Sequence, residues 1–180
     1  AVKFTLGAVR RSAKLDDPQL EILSESIKLI EETMGEVREI AQDLVPAVLK
    51  DFGLQAAVSK ICERAGKFNH FDVHYEAVGE IPPMEEHVET AIYRIAQEIM
   101  NNASKYSKAD NVQVKLNYFN EEVELYIKDD GVGFDLQADF TGAGLNNMKE
   151  RCAMIDAKCN ISSNLGAGTL TVIKYKNNKR

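Results

Sequence analysis

The sequence predicts an α+β fold in two parts: a helical hairpin that closes into a dimeric four-helix bundle, then a two-layer α/β sandwich on a mixed sheet. Three observations predict it. Apolar residues recur at alternating spacings of four and three through the first third, the period changes to two from His70, and two further helical stretches interrupt that alternation. At 180 residues and 44% hydrophobic, the chain buries about 70% of its unfolded surface without a disulfide or metal staple, which excludes disorder and a minimal cysteine scaffold.

The first helical seam runs through Leu23, Ile27, Ile30, Met34, Val37, Ala41, Leu44 and Val48. This is the repeat of a bundle helix, and it needs a helical partner. Asp17 caps the helix and Pro18 sits in its first turn, where a missing N–H costs nothing. Upstream, Val2, Leu6, Val9 and Ala13 repeat the spacing, so residues 1–14 are expected to pack antiparallel on the start of the long helix. The long helix spans about 46 Å and the upstream arm about 21 Å. The mismatch predicts that part of the first helix lies upstream of Ala1 in a longer parent. Two helices leave an apolar face uncovered, which a homodimeric bundle closes; a monomeric core of three or four helices is the alternative. Pro46 bends or ends the long helix, and a new helix starts at Leu54 after Gly53. The domains are accordingly 1–53, hairpin and linker, and 54–180, sandwich.

In the second part, Phe71, Val73 and Tyr75 alternate with polar residues, as do Val112, Val114, Leu116 and Tyr118, and then Val123, Leu125 and Ile127. These are half-buried strands, with Asn120-Glu121 as the hairpin turn between the last two. A long helix is expected from Met84 to Tyr106, burying Val88, Ile92, Ile95, Ile99 and Ala103. Another spans Leu145 to Ile155, ahead of strands at Cys159–Ser163 and Thr169–Lys176. The helices belong on one face of the sheet and solvent on the other.

Composition narrows the function. The formal charge of −6, from 22 basic and 28 acidic residues, disfavours a nucleic-acid partner. Three cysteines, Cys62, Cys152 and Cys159, lack zinc spacing and point to reduced thiols in the cytoplasm. No apolar run approaches the roughly 20 residues of a membrane span, so a membrane would be reached only through other parts of a parent protein.

Four stretches carry chemistry. Glu98, Asn102 and Lys105 fall at i, i+4 and i+7 of the long helix, placing a carboxylate, an amide oxygen and an ammonium on one face. Asp129-Asp130-Gly131-Val132-Gly133 follows a strand directly. Gly142-Ala143-Gly144-Leu145 opens a helix, where bare backbone N–H groups and the helix dipole suit an anion. Gly166-Ala167-Gly168-Thr169 enters the last strand. Taken singly, each serves equally well as a turn or a solvated face.

In this order and on these elements, the four stretches resemble the asparagine box and three glycine boxes of the ATPase domain of sensor histidine kinases. That domain belongs to the gyrase, Hsp90, kinase and MutL group, the Bergerat or GHKL ATP-binding fold. The resemblance covers about Leu54 to Tyr175. Glu36 to Leu54 is similar to the second dimerisation helix and linker of the NarL/DesK-type branch, and Gly144 to Arg151 fits that branch as well.

The resemblance implies ATP and Mg²⁺ as cofactors, Glu98 and Asn102 as catalytic residues, Asn102 as a metal ligand through its amide oxygen, and Glu98 as a residue that positions water or the metal. It implies that Asp129 accepts a hydrogen bond from the adenine amino group, that Lys105 lies near the phosphates, and that Thr169 lies near the base. Gly131 and Gly133 let the backbone pass the base. Gly142 and Gly144 belong to a phosphate cradle and mobile lid, roughly 135–147, and Tyr106 and Leu145 complete the nucleotide contacts. The family often has His where Tyr106 stands, which leaves the phosphate contacts less defined. Implied partners are a second copy of the chain and a response regulator receiver domain. None of His70, His74 and His87 sits in an acceptor motif, so the resemblance places the phosphorylated histidine upstream of Ala1. Two other readings remain at this point: a serine/threonine kinase of the anti-sigma type on the same fold, and a non-catalytic dimerisation module with a vestigial pocket.

Overall fold

The computed structural model describes residues 18–19, 22–30, 47–136 and 143–177. The chain divides into two units, Ala1–Val45 and Pro46–Arg180. In the first, residues 22–30 are helical; Leu23, Ile27 and Ile30 are half-buried, whereas Ile22 and Leu29 are each 64% exposed. That is the phase of the seam read from the spacing. The upstream arm, the seam from Met34 to Leu44, Asp17 and Pro46 lie outside the described residues, as does any test of the bundle.

The second unit begins with α1 (Ala47–Phe68). Gly53, at φ 75° and ψ 179°, breaks it into two helical pieces, so the helix restarts at Leu54 as its sequence predicts. Leu49, Leu54, Ala57, Val58, Cys62 and Ala65 are buried. Strand β1 (Asp72–Val78) follows, then α2 (Glu86–Asn102), which buries Val88, Ile92, Ile95 and Ile99 along one stripe. The α-helical hydrogen bonding ends at Asn102 and gives way to a π-helical turn, Ala103–Ser107, closed by Lys108 at φ 51°. The predicted helix to Tyr106 is thus two geometries.

Strands β2 (Asn111–Phe119) and β3 (Glu122–Asp129) form a hairpin through Asn120 and Glu121, at φ 51° and 62°. Two successive positive φ values match the right-handed twist of the strands. Helix α3 (Ala143–Met154), β4 (Lys158–Ser163) and β5 (Thr169–Lys176) complete the unit. The sheet order is β1-β2-β3-β5-β4, with β1 parallel to β2 and the other pairs antiparallel. This is the mixed sheet expected from the alternation.

Burial follows the two-residue period. Val112, Val114 and Leu116 are at 0% exposure, and Val123, Leu125, Ile127 and Ile173 at 2% or less. Helix α2 packs against β3. The opposite face carries charge: Lys174 Nζ pairs with Glu124 at 2.9 Å and Glu122 at 3.2 Å, and Lys115 with Glu76 at 3.2 Å. Lys174 accordingly holds the Glu124 carboxyl below its usual range. His70 precedes β1, where the chain is still turning out of α1, with the Asn69 N–H on the Ala65 carbonyl at 3.1 Å.

Candidate functional site

The acidic pair at the end of β3 divides into two roles. Asp129 is the last residue of the strand and is 7% exposed. It accepts the Gly131 N–H at 3.0 Å and hydrogen bonds from the Thr169 backbone and hydroxyl, Thr169 being its cross-strand partner. Burial pushes its carboxyl above the usual range, more than these donors pull it down. Asp130 turns outward. Its Oδ1 accepts the N–H groups of Asp110 and Asn111, and its Oδ2 accepts Asn111 Nδ2, all at 2.9 Å. The Asn111 bonds hold its carboxyl low, and Asp130 clips the end of β3 to the start of β2. That role escaped the sequence reading, since its partners are defined only by the strand register.

Around Asp129, two loops pack backbone on backbone. The Val132 N–H donates to the Ser107 carbonyl at 2.7 Å, and the Gly166 N–H to the Val132 carbonyl at 2.6 Å. A Cβ on Gly133 would overlap the Asn164 carbonyl, and one on Gly168 the Asp129 carbonyl. Gly131 lies equally close to Ser107. Ser163, buried at 6% exposure, ties the loops together. Its Oγ accepts the Phe134 N–H at 2.9 Å, donates to the Gly168 carbonyl at 3.0 Å and lies 3.0 Å from Thr169 Oγ1. Ser163 was also missed. Its signal is a hydroxyl where the alternation of β4 through Cys159 and Ile161 demands an inward residue.

The third junction joins α2 to α3. A Cβ on Gly144 would overlap Glu98 Oε1 and come within 3.4 Å of Asn102 Nδ2, so the first turn of α3 lies directly against this carboxylate and amide. That turn carries no acidic residue, leaving its positive dipole end uncompensated on the helix itself. Lys105 is exposed on the π-helical turn that follows Asn102. Tyr106 is 68% exposed. Leu145 lines a hollow of about 310 Å³ beside Phe134, Leu136, Lys149, Cys159 and Ile161. Gly142 lies outside the described residues.

This arrangement suits a phosphorylated ligand with a hard cation. Glu98 Oε1 and the Asn102 amide both lie against Gly144, and a carboxylate and an amide oxygen are donor types that Mg²⁺ takes. Among the described residues no cluster of three or more His, Cys, Asp or Glu side chains forms a metal cage, so such a cation needs phosphate and water oxygens to fill its shell. The residues present fit that demand.

A buried strand-end carboxylate among loops stripped of side-chain bulk, and a helix N-terminus that meets an acid and an amide, are features suited to a nucleotide-binding α/β sandwich. Residues 87–179 match the model of the histidine kinase-, DNA gyrase B-, and HSP90-like ATPases, and the chain belongs to that family. It is 30% identical over 185 residues to the sensor histidine kinase MctS of Rhizobium johnstonii, covering 99% of this chain and 40% of that protein. To the signal transduction histidine-protein kinase/phosphatase DegS of Brevibacillus brevis it is 32% identical over 158 residues, covering 87% and 41%. The DegS-type similarity agrees with the NarL/DesK-type branch that the sequence resembles. The chain spans about two fifths of the length of these relatives. The solved histidine kinase domain of the Erythrobacter litoralis blue-light activated histidine kinase shares the fold, with a TM-score of 0.62 at 16% identity over 98% of this chain and 92% of that one. Among the described residues no helix is long and apolar enough to cross a membrane.

Proposed function

We propose that this chain is the ATP-binding catalytic core of a two-component sensor histidine kinase, which phosphorylates a histidine outside the present sequence for relay to a response regulator aspartate. The observation that carries the reading is the approach of Gly144 to Glu98 and Asn102, together with that of Gly131, two residues past buried Asp129, to Ser107 at the end of the same helical stretch. Asp129 selects adenine by accepting its amino proton, since a carboxylate requires a donor opposite it. Thr169, which already donates to Asp129, fixes the orientation of that acceptor. Asn102 would hold Mg²⁺, with Glu98 positioning water or the metal, and the ion would supply charge neutralisation at the phosphoryl group. The α3 N-terminus at Gly144 offers backbone donors to the phosphates, with Gly142 extending the cradle and Lys105 supplying an exposed cation. Phosphoryl transfer then rests on positioning and charge neutralisation by these groups.

The similarity to sensor histidine kinases runs through the first part of the chain as well as the sandwich, which favours this reading over a serine/threonine kinase without a dimerisation hairpin. A homodimer formed by residues 1–53 and a receiver domain as phosphoryl acceptor belong to the same proposal. Calorimetric titration with ATP, with and without Mg²⁺, tests it. Wild-type protein is expected to bind ATP more tightly with Mg²⁺ present, and Asp129→Asn is expected to weaken binding roughly tenfold to a hundredfold. An Asp129→Asn protein that binds ATP as the wild type does would overturn the assignment.

A further inference from the structure

Outside the site just described, one group of side chains has no part in nucleotide chemistry. Helix α3 turns into β4 within three residues. The Ala157 N–H donates to the Cys152 carbonyl at 2.8 Å, the Ile155 N–H to the same carbonyl at 3.3 Å, and Asp156 takes φ 54°. This turn folds β4 back on the last turns of α3. Cys152 and Cys159 consequently face each other within hydrogen-bond reach of their sulfurs. They differ in access. Cys152 is buried at 1% exposure, whereas Cys159 is half-buried and opens into the 310 Å³ hollow lined by Phe134, Leu136, Leu145 and Lys149.

Their chemistry differs in the same direction. The Cys152 S–H donates toward Cys159, lowering the Cys159 thiol, and the Lys149 ammonium lowers it further against the opposing effect of burial. Cys152 is raised by the same hydrogen bond and by burial. Cys62, buried in α1, is pushed up to about 12 and serves as an internal reference. A thiol with thiolate character, an entry path and a second thiol behind it has the layout of a peroxide-reactive pair.

We propose that Cys159 is an oxidation site for hydroperoxides and that Cys152 resolves it to an intrachain disulfide. The Cys159 thiolate attacks one peroxide oxygen; the S–O bond forms, the O–O bond breaks, and the departing alkoxide or hydroxide takes a proton. Cys152 sulfur then attacks Cys159 sulfur. The S–S bond forms, the S–O bond breaks, and hydroxide leaves with the Cys152 proton as water. The two thiols are oxidised together and one peroxide is reduced. The bond fastens the end of α3, whose other end meets Glu98, to the edge strand β4.

The test treats the reduced full chain with hydrogen peroxide and maps its peptides by mass spectrometry. The expected product links Cys152 to Cys159 and leaves Cys62 a free thiol. Cys152→Ser protein is expected to accumulate a sulfenic acid at Cys159 that dimedone captures, and Cys159→Ser protein to form neither product. Alkylation of the wild type by iodoacetamide needs no variant, and Cys159 should react roughly tenfold or more faster than Cys62. Equal alkylation rates, peroxide oxidation that starts at Cys62, or disulfides only between chains would each overturn the proposal.

Discussion

Asp129 and Thr169 are partners at the last rung of the β3–β5 ladder, and the Thr169 hydroxyl donates to the Asp129 carboxylate. The pair closes the sheet and holds an acid in a buried position that folding alone would not favour. A buried carboxylate with a raised pKa weakens the fold when ionised, so its role in binding and its role in stability have opposite signs.

Asp129→Asn should therefore leave the protein at least as stable as wild type at neutral pH. Because the folded-state pKa is raised, the stabilising contribution of the carboxyl is complete below its unfolded pKa and is lost as pH rises through the folded value. The advantage of the Asn variant should shrink on acidification. Thermal unfolding of both proteins across the acid range checks this, and a variant markedly less stable at neutrality would contradict it.

Asp130 should behave in the opposite way. Its pKa is lowered by Asn111, so its stabilisation is present above the unfolded pKa and is lost as pH falls through the folded value. Asp130→Ala removes three hydrogen bonds at 2.9 Å from an exposed side chain. After allowance for solvent, the cost near neutrality should be about 1 kcal/mol, lowering Tm by about 2–4 °C. The gap to wild type should close in acid.

Gly166 and Gly168 separate two costs of adding a methyl group. Both have positive φ, 79° and 73°, but a Cβ on Gly166 meets nothing within 4 Å, whereas one on Gly168 overlaps the Asp129 carbonyl. Gly166→Ala should cost about 1–2 kcal/mol from backbone strain alone. Gly168→Ala must also shift backbone at Asp129, so it should cost about 3 kcal/mol or more and lose nucleotide binding as well. Urea midpoints and ATP titrations distinguish the two.

The hairpin turn offers a gain. Glu121 occupies φ 62° in a two-residue turn that favours Gly in its second position. Glu121→Gly should raise stability by about 0.5–1 kcal/mol, because the Asn177 N–H to Glu121 carbonyl bond at 2.7 Å is a backbone bond and survives the change. Thermal unfolding measures it.

Periodicity made the strands legible: β5 has the bounds Thr169–Lys176 read from the sequence, and every apolar residue assigned to the α2 stripe is buried. Local composition did not reveal the π-helical turn. Its wider turn is accompanied by two tertiary and local bonds, from the Val132 N–H to the Ser107 carbonyl and from Ser107 Oγ to the Ala103 carbonyl at 2.6 Å. Leu145, in a motif that reads as phosphate-facing, lines the hollow beside β4. The Val132 to Ser107 bond and the walls of that hollow join segments distant in sequence, which local composition does not carry.

The parallel pairing of β1 with β2 has a kinetic consequence. Antiparallel β2 and β3 meet through two residues, a closure that is fast and local. Parallel strands require a crossover, and here the crossover is α2, the helix that carries Glu98 and Asn102. Docking that helix fixes contacts between distant parts of the chain and so belongs to the slower stage of folding. Edge-strand closure and maturation of the Glu98–Asn102 pair are then a single event, and an intermediate holding only the β2–β3 hairpin would possess Asp129 without Glu98 and Asn102.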